Sequence, residues 1–272
     1  MTLPFKAVAF DMDGTFLRDD KHFDQQRFAN LLDQLTTQGI RVIVASGDQY
    51  ENLAKYFTPA MINQLIFVCE NGAYVRQGEQ PLLVKTLDSQ MVAELVPFMI
   101  KELGITPLMA GVKAGYLSRN LSPEMMKWMK FYFPKHVVVD NFDQLPDDQF
   151  FQISFTIDDE EEVKRLLAQI ESRFPGKVKA TPSGNGSVDL TIPGVDKAFA
   201  LRYLLDKWGL SNSDLMVFGD GGNDVTMLQL ADTSWAMPNG GAAAQSVANH
   251  QVPVDNNHDG VLVVLDDYLR KN

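Results

Sequence analysis

Hydrophobic positions follow two rhythms at the start of the chain. Residues 5–10 (FKAVAF), 41–45 (RVIVA) and 65–69 (LIFVC) are short, nearly unbroken apolar runs, the pattern of strands buried on both faces. Between them, Phe28, Leu31, Leu32 and Leu35 share one face at helical spacing. That predicts a helix over 24–38, stopped by Gly39. Tyr50, Leu53, Ala54 and Phe57 form a second stripe, predicting a helix over 48–57. Strands and helices in alternation predict a parallel sheet covered on both faces.

The rhythm changes after Asn71-Gly72. Residues 73–84 read as a hairpin about Gln77-Gly78, 89–103 as a helix, and 105–110 and 115–119 as strands. An aromatic-rich helix follows over 122–132, with strands at 136–140 and 150–157 and an acidic-started helix over 158–174. Residues 177–182 and 187–192 flank the hairpin signal Ser183-Gly184-Asn185-Gly186. Alternation resumes near 194, with helices over 196–209 and 223–231, strands at 215–219 and 234–237, and helices at 241–249 and 260–269. One α/β domain built from both ends of the chain, interrupted by an inserted module with antiparallel strands, accounts for this order.

Composition narrows the function classes. The chain has 272 residues, 45% of them hydrophobic, enough for a sizeable core. A net charge of -11 argues against nucleic acid or anionic membrane as partner, both of which need basic surface. An anionic substrate must then be drawn in by a metal or a few placed cations. Cys69 is the single cysteine; it excludes an internal disulfide and reads as a small core side chain. The N-terminus runs straight into a strand, with no signal-peptide pattern, and no apolar stretch approaches the ~20 residues of a membrane span. A cytoplasmic protein is expected.

Four segments carry candidate chemistry. Asp11-Met12-Asp13-Gly14-Thr15 follows the first strand, and alternation puts Asp11 and Asp13 on one side. Two close carboxylates repel unless a cation neutralises them or one stays protonated. Gly219-Asp220-Gly221-Gly222-Asn223-Asp224 follows another strand and offers oxygen ligands suited to Mg²⁺. Ala45-Ser46-Gly47-Asp48 follows a third; a hydroxyl and backbone N–H groups at a helix start can cradle phosphate. Lys197 opens the helix after the insertion, where it could be a point charge on phosphate. Each has a bland reading alone: a polar strand end, a glycine loop, an N-cap serine, a surface lysine. Three lie at ends of predicted parallel strands, where open sheets place their sites, and the fourth lies at the re-entry from the insertion.

In this order the motifs resemble those of the haloacid dehalogenase-like phosphatases, specifically the Cof-type sugar-phosphatase group, over nearly the whole chain. The resemblance implies a Rossmann-like doubly wound parallel-sheet core (1–83 and 190–272) with an inserted α+β cap domain (84–189) that closes over the site. Asp11 would attack phosphorus, forming an aspartyl-phosphate, and Asp13 would act as acid and then base. Ser46, Gly47, Lys197 and Asn223 would hold the phosphoryl oxygens. Mg²⁺ would be held by Asp11, Asp13 (through its carbonyl), Asp220 and Asp224. Glu70-Asn71-Gly72 is similar to the family's turn after the third strand, and Asp255, Asn256 and Asn257 to a site-adjacent loop. Asp48-Gln49 stands where many relatives carry arginine. Asn185 and Tyr116 are candidates for reading the leaving group. The expected substrate is a small phosphorylated metabolite, foremost a sugar phosphate, for a monomer or weak homodimer. A phosphomutase, a phospho-accepting regulatory module and a fold-retaining binding module are the alternatives. Trp128, Phe131, Tyr132 and Phe133 could form an interface, though core packing is the simpler expectation for them.

Overall fold

The structure, a computed structural model, describes residues 3–184 and 186–271, without side-chain detail at 182–184. Asn185 lies outside the described residues. In chain order the elements are β1 (Ala7–Phe10), α1 (Gln25–Thr37), β2 (Arg41–Ala45), α2 (Tyr50–Ala54), α3 (Pro59–Ile62), β3 (Leu65–Cys69), β4 (Tyr74–Gln77) and β5 (Gln80–Val84). There follow α4 (Ser89–Lys101), β6 (Leu108–Gly111), β7 (Gly115–Ser118), α5 (Pro123–Tyr132), β8 (His136–Val139), β9 (Phe150–Thr156), α6 (Glu160–Arg173), β10 (Lys179–Gly184) and β11 (Ser187–Thr191). The chain ends with α7 (Lys197–Trp208), β12 (Leu215–Gly219), α8 (Val225–Leu230), β13 (Thr233–Ala236), α9 (Ala242–Val247), β14 (His250–Gln251) and α10 (Gly260–Lys271).

Two compact units result: Met1–Val84 with Asp196–Asn272, and Lys85–Val195. The first holds an eight-stranded sheet in the order β14-β13-β12-β1-β2-β3-β4-β5. The six strands from β14 to β3 are parallel, whereas β4 and β5 pair antiparallel at the edge. Alternation along each strand sends successive side chains to opposite faces. Val8, Phe10, Val42, Val44, Met216 and Phe218 join Phe28, Leu31, Leu32, Leu35, Leu262 and Leu265 on one side. Ala7, Ala9, Ile43, Ala45, Leu215 and Val217 join Leu201, Leu204, Leu205 and Met227 on the other. Both faces are therefore covered, and the chain runs outward from β1 through β2 and β3, then returns to β1's other side at β12. Open sheets form a crevice at the carboxyl ends of their strands at such a reversal.

The second unit holds a six-stranded sheet in the order β10-β11-β9-β6-β7-β8. Its pairs are antiparallel apart from β7 and β8, which are parallel, because α5 connects them as a crossover. Met91, Leu95, Leu166 and Ile170 of α4 and α6 pack with Ile153, Phe155, Val188 and Leu190. Met129 of α5 packs with Leu108 and Leu117, which alternate with Met109 and Tyr116 and so face the opposite side. β11 continues to Thr191 within this unit, beyond the junction expected at 189.

Two helices differ from their sequence patterns. The one expected over 48–57 is only α2, Tyr50–Ala54, followed by the separate turn α3, which Thr58 caps and Pro59 starts. The helix expected from Asn223 begins at Val225, after a 3₁₀ turn over Gly222–Asp224. The first shortfall is mainly at the C-terminal end of α2, the second a replacement of the first helical turn by the 3₁₀ turn.

Candidate active site

Parallel pairing of β1 with β2 and β12 brings the ends of these strands to one edge. Asp11 follows β1, Ser46 follows β2 and Asp220 follows β12, while Glu70 follows β3. Lys197, the first residue of α7, reaches into this edge. Its ammonium is fully buried and donates to Asp11 Oδ1 at 2.5 Å and Asp224 Oδ1 at 2.6 Å. This lysine is not the surface residue that its place in a first helical turn suggests. Burial alone would push the ammonium down, but the two carboxylates outweigh it and hold it above its ordinary value. Burial also pushes Asp11 well above the usual carboxylate range, against the pull of Lys197.

The fourth motif wraps on itself. Asp224 Oδ2 accepts the backbone N–H groups of Asp220 and Gly221, both at 2.9 Å. Thr15 donates its hydroxyl to Asp220 Oδ1 at 2.8 Å, tying the first motif to the fourth. Gly14 has φ 76, and a Cβ there would stand 2.5 Å from Asp220 Oδ2. Only glycine suits that position, both for its conformation and for its contact.

Asp11, Asp220 and Asp224 each present a carboxylate oxygen within 4.8 Å of the others. Three carboxylates against the one ammonium of Lys197 leave the group two charges short of balance. Burial pushes Asp220 up to about 6, with a smaller contribution from the Asp224 charge, while the Thr15 bond opposes the rise. An all-oxygen donor set with unbalanced negative charge fits Mg²⁺. Asp224 has both oxygens engaged by Lys197 and backbone N–H groups, so Asp11 and Asp220 are the better placed to ligate directly.

The carboxylate of Asp13 stands apart from that cluster and pairs with Lys21 at 2.7 Å. Lys21 occupies the left-handed region at φ 62, in a tight loop where its N–H donates to the Arg18 carbonyl. Arg18 in turn makes a two-pronged ion pair with Asp259.

Ser46 is buried, and its hydroxyl accepts the Asp48 N–H at 3.1 Å. It is not the N-cap of a helix, since α2 starts four residues later behind Gln49. Gly47 passes so close to Asn71 that a Cβ would meet its side-chain amide at 3.0 Å. Asn71 Oδ1 accepts from the Asn223 amide at 3.0 Å, so Gly47, Asn71 and Asn223 lie side by side. Glu70, Asn71 and Gly72 have φ values of 51, 51 and 96, and a Cβ on Gly72 would collide with the Asp196 carbonyl. Two successive non-glycine residues in the left-handed region store strain, which clusters at functional sites. That turn also places Lys197, whose neighbour Asp196 caps α7 by accepting the Phe199 N–H.

Asp48 is half-buried, and desolvation followed by the charge of Asp13 pushes it up to about 6. Asn52 donates to it at 2.7 Å, and Lys55 donates to Asn52. Around the edge, Asn256 is buried and donates to the Leu17 carbonyl and to Asp19, while its N–H meets Asn239. Asn239 donates to the Gly14 carbonyl at 2.7 Å. Asn256, Asn257 and Asn239 thus brace the loop after β1 from behind, and Asp255 caps the 3₁₀ turn that presents them.

Sequence reasoning missed Lys21 and Asn239 as contributors, named Thr15 only as part of the first motif, and treated Asn71 only as part of a turn. Their partners lie far along the chain or depend on a loop conformation, so no spacing rule marks them. Tyr116, a candidate reader of the leaving group, is buried, donates to Asp148 at 3.0 Å, and is pushed up to about 12 by burial and that bond. Cys69 is buried, which pushes its thiol up and leaves it an inert core residue.

The family model for haloacid dehalogenase-like hydrolases matches residues 8–265. A protein of Escherichia coli named 5-amino-6-(5-phospho-D-ribitylamino)uracil phosphatase is 36% identical over 98% of this chain and 97% of its own length. A Yersinia pseudotuberculosis protein named HMP-PP phosphatase is 27% identical over 86% of this chain and 84% of its own. The solved structure of a Streptococcus mutans protein superposes with a TM-score of 0.89 at 35% identity, covering 98% of this chain and 99% of that one.

Proposed function

Because this chain belongs to the haloacid dehalogenase-like hydrolase family, we propose that it is a Mg²⁺-dependent phosphatase of small phosphorylated metabolites that works through an aspartyl-phosphate on Asp11. The similar proteins are named phosphatases, in keeping with a phosphoric monoester hydrolase. The observation that carries the mechanism is the buried ammonium of Lys197 bridging Asp11 and Asp224. A lysine with no solvent exposure is costly unless its charge is used, and here it is set against the carboxylate proposed to react.

Asp11, Asp220 and the Asp13 carbonyl would hold Mg²⁺, with Asp224 behind them; when bound it supplies the charge that lets one anion approach another. Asp11 attacks phosphorus through the oxygen not bonded to Lys197, and the P–O bond to the leaving group breaks. Asp13, protonated and parted from Lys21 once substrate is bound, gives that oxygen its proton. Water then attacks the aspartyl-phosphate, Asp13 takes the water's proton, and the Asp11 carboxylate returns as phosphate leaves. Ser46, the Gly47 N–H, Lys197 and Asn223 would hold the phosphoryl oxygens, with Asn71 fixing the Asn223 amide. In a loose phosphoryl transition state such positioning does most of the work. Lys21 pairs with Asp13 while no leaving group stands beside it, and would keep that carboxylate in the place it must act from.

The proposed substrate is a sugar phosphate or a phosphorylated sugar-alcohol chain, the latter being the kind named for the Escherichia coli relative. No membrane-crossing helix is found among the described residues, and a cytoplasmic setting suits such a metabolite. The test is phosphate release from a panel of these compounds, with Mg²⁺ or chelator, for wild type and Asp11→Asn. Release needing both Mg²⁺ and Asp11, without a bisphosphate activator, is expected. Release that survives Asp11→Asn unchanged would refute the nucleophile.

A further inference from the structure

Each sheet has two edge strands, and an open edge presents unpaired N–H and C=O groups that invite another strand. Three of the four are blunted. β14 is two residues long, β5 carries Pro81, and β10 carries Pro182; short strands and prolines are the usual protections. β8, four residues long, carries neither a proline nor a bulge. Its sequence is His-Val-Val-Val, three of the four β-favouring, with Val137 46% exposed.

We propose that β8 pairs antiparallel with β8 of a second copy of this chain, joining two six-stranded sheets into one across a two-fold axis at Val138. The register follows from the hydrogen bonds to β7. Gly115 donates to the Lys135 carbonyl and Arg119 to the Val139 carbonyl. Strand alternation therefore turns the backbone groups of Lys135, Val137 and Val139 toward β7, and those of His136, Val138 and Asp140 toward the open edge. In an antiparallel pair, opposed residues are both edge-facing or both not. Centring on Val138 meets that rule and sets His136 opposite Asp140 of the second copy, each such pair exchanging two backbone hydrogen bonds.

The side chains match in this register. Val138 pairs with Leu117 in the β7–β8 ladder, so it shares the face that Leu117 packs against Met129 of α5. His136 and Asp140 lie on that face too; Asp140 already pairs with Arg119, and His136 Nδ1 meets the Phe133 carbonyl at 2.8 Å, so the two-fold sets the remaining imidazole nitrogen opposite the Asp140 carboxylate twice. Val137 and Val139 lie on the other face, where the exposed Val137 of one copy covers Val139 of the other. Such apolar and opposite-charge cross-strand pairs each stabilise a sheet. A parallel self-pairing has no two-fold and sets like residues side by side. Because the axis is perpendicular to the sheet, both copies of α5 come to one face of the joined sheet. That helix carries Trp128 and Phe131, 43% and 42% exposed, in edge-to-face contact with Tyr132.

The test is sedimentation of the full chain across about 1–100 µM, with circular dichroism to verify folding. The wild type is expected at twice the 30.4 kDa chain mass. Val138→Pro removes an edge-facing N–H that β7 does not use, and is expected to leave a folded monomer. His136→Asp sets carboxylate against carboxylate and is expected to weaken the dimer at least about tenfold; it decides the matter should the proline variant fail to fold. The double variant His136→Asp with Asp140→His restores the opposed pair and is expected to recover association. A wild type that stays monomeric throughout, leaving the edge to an extended segment of another protein, overturns the proposal. So does a dimer that neither Val138→Pro nor His136→Asp weakens.

Discussion

Replacing Lys197 with methionine keeps a chain of similar length and deletes one buried charge. In the wild type that ammonium lies 2.5 Å from Asp11 and 2.6 Å from Asp224, with no solvent exposure. The variant leaves these carboxylates buried beside Asp220 with no cation among them. Breaking a buried ion pair by removing one partner costs about 3–5 kcal/mol. At about 2–4 °C per kcal/mol for a unit of this size, the melting temperature should fall by roughly 6–20 °C in chelator. The loss has a pH signature. Asp11 is already held well above its ordinary range by burial, with Lys197 pulling against that rise. Removing the lysine raises it further, so the variant binds protons more readily when folded than when unfolded. Stability present at low pH is then lost as pH rises, and the gap to wild type should widen from pH 5 to pH 8. Added Mg²⁺ should recover part of it, while turnover stays depressed by about 10²-fold or more. Thermal unfolding by circular dichroism at both pH values, with chelator and with Mg²⁺, reads all of this. A melting temperature at pH 8 in chelator within about 2 °C of wild type would show that the ammonium does not hold the carboxylates together, and would sink the reasoning.

Asp13→Asn should still accept phosphate onto Asp11 slowly but lose most dephosphorylation, so phosphoenzyme accumulates in rapid-quench experiments; steady-state turnover equal to wild type would remove Asp13 from the acid and base roles. Asp48, half-buried, is pushed from 3.8 to about 6. Its contribution to stability is therefore full below pH 4 and lost as pH rises through 6, an upper bound of about 3 kcal/mol at 1.36 kcal/mol per tenfold change in proton affinity. Asp48→Asn should then melt higher than wild type at pH 8 and no higher at pH 4. An equal difference at both pH values would rule out that burial of the charge.

What the sequence determined by itself was local. Nearly unbroken apolar runs marked β2, β3 and β12 to the residue, because a strand covered on both faces has few polar positions to interrupt it. Periodicity placed α1 and α7 within a residue or so, where caps at Asp24 and Asp196 agree with it. The motifs after β1, β2 and β12 were visible because glycine and carboxylate clusters at strand ends stand out from their surroundings. The family resemblance rested on the same stretches. α2 was overdrawn, since a stripe of four apolar residues cannot tell a helix running to Phe57 from one that ends at Ala54 and continues as a turn.

Only the tertiary structure decided what those residues face. Lys197 looks like a surface residue in its own helix, and becomes a buried cation through partners 186 and 27 positions away. The pairing of Lys21 with Asp13 depends on a left-handed backbone at Lys21, for which its residue type offers no signal. Thr15 and Asn239 bond across separations of 205 and 225 residues. The open edge of β8 likewise exists only because five strands line up beyond its other side. Periodicity records which face of an element is buried, whereas the identity of the neighbour is set when distant elements pair, and no local pattern carries that information.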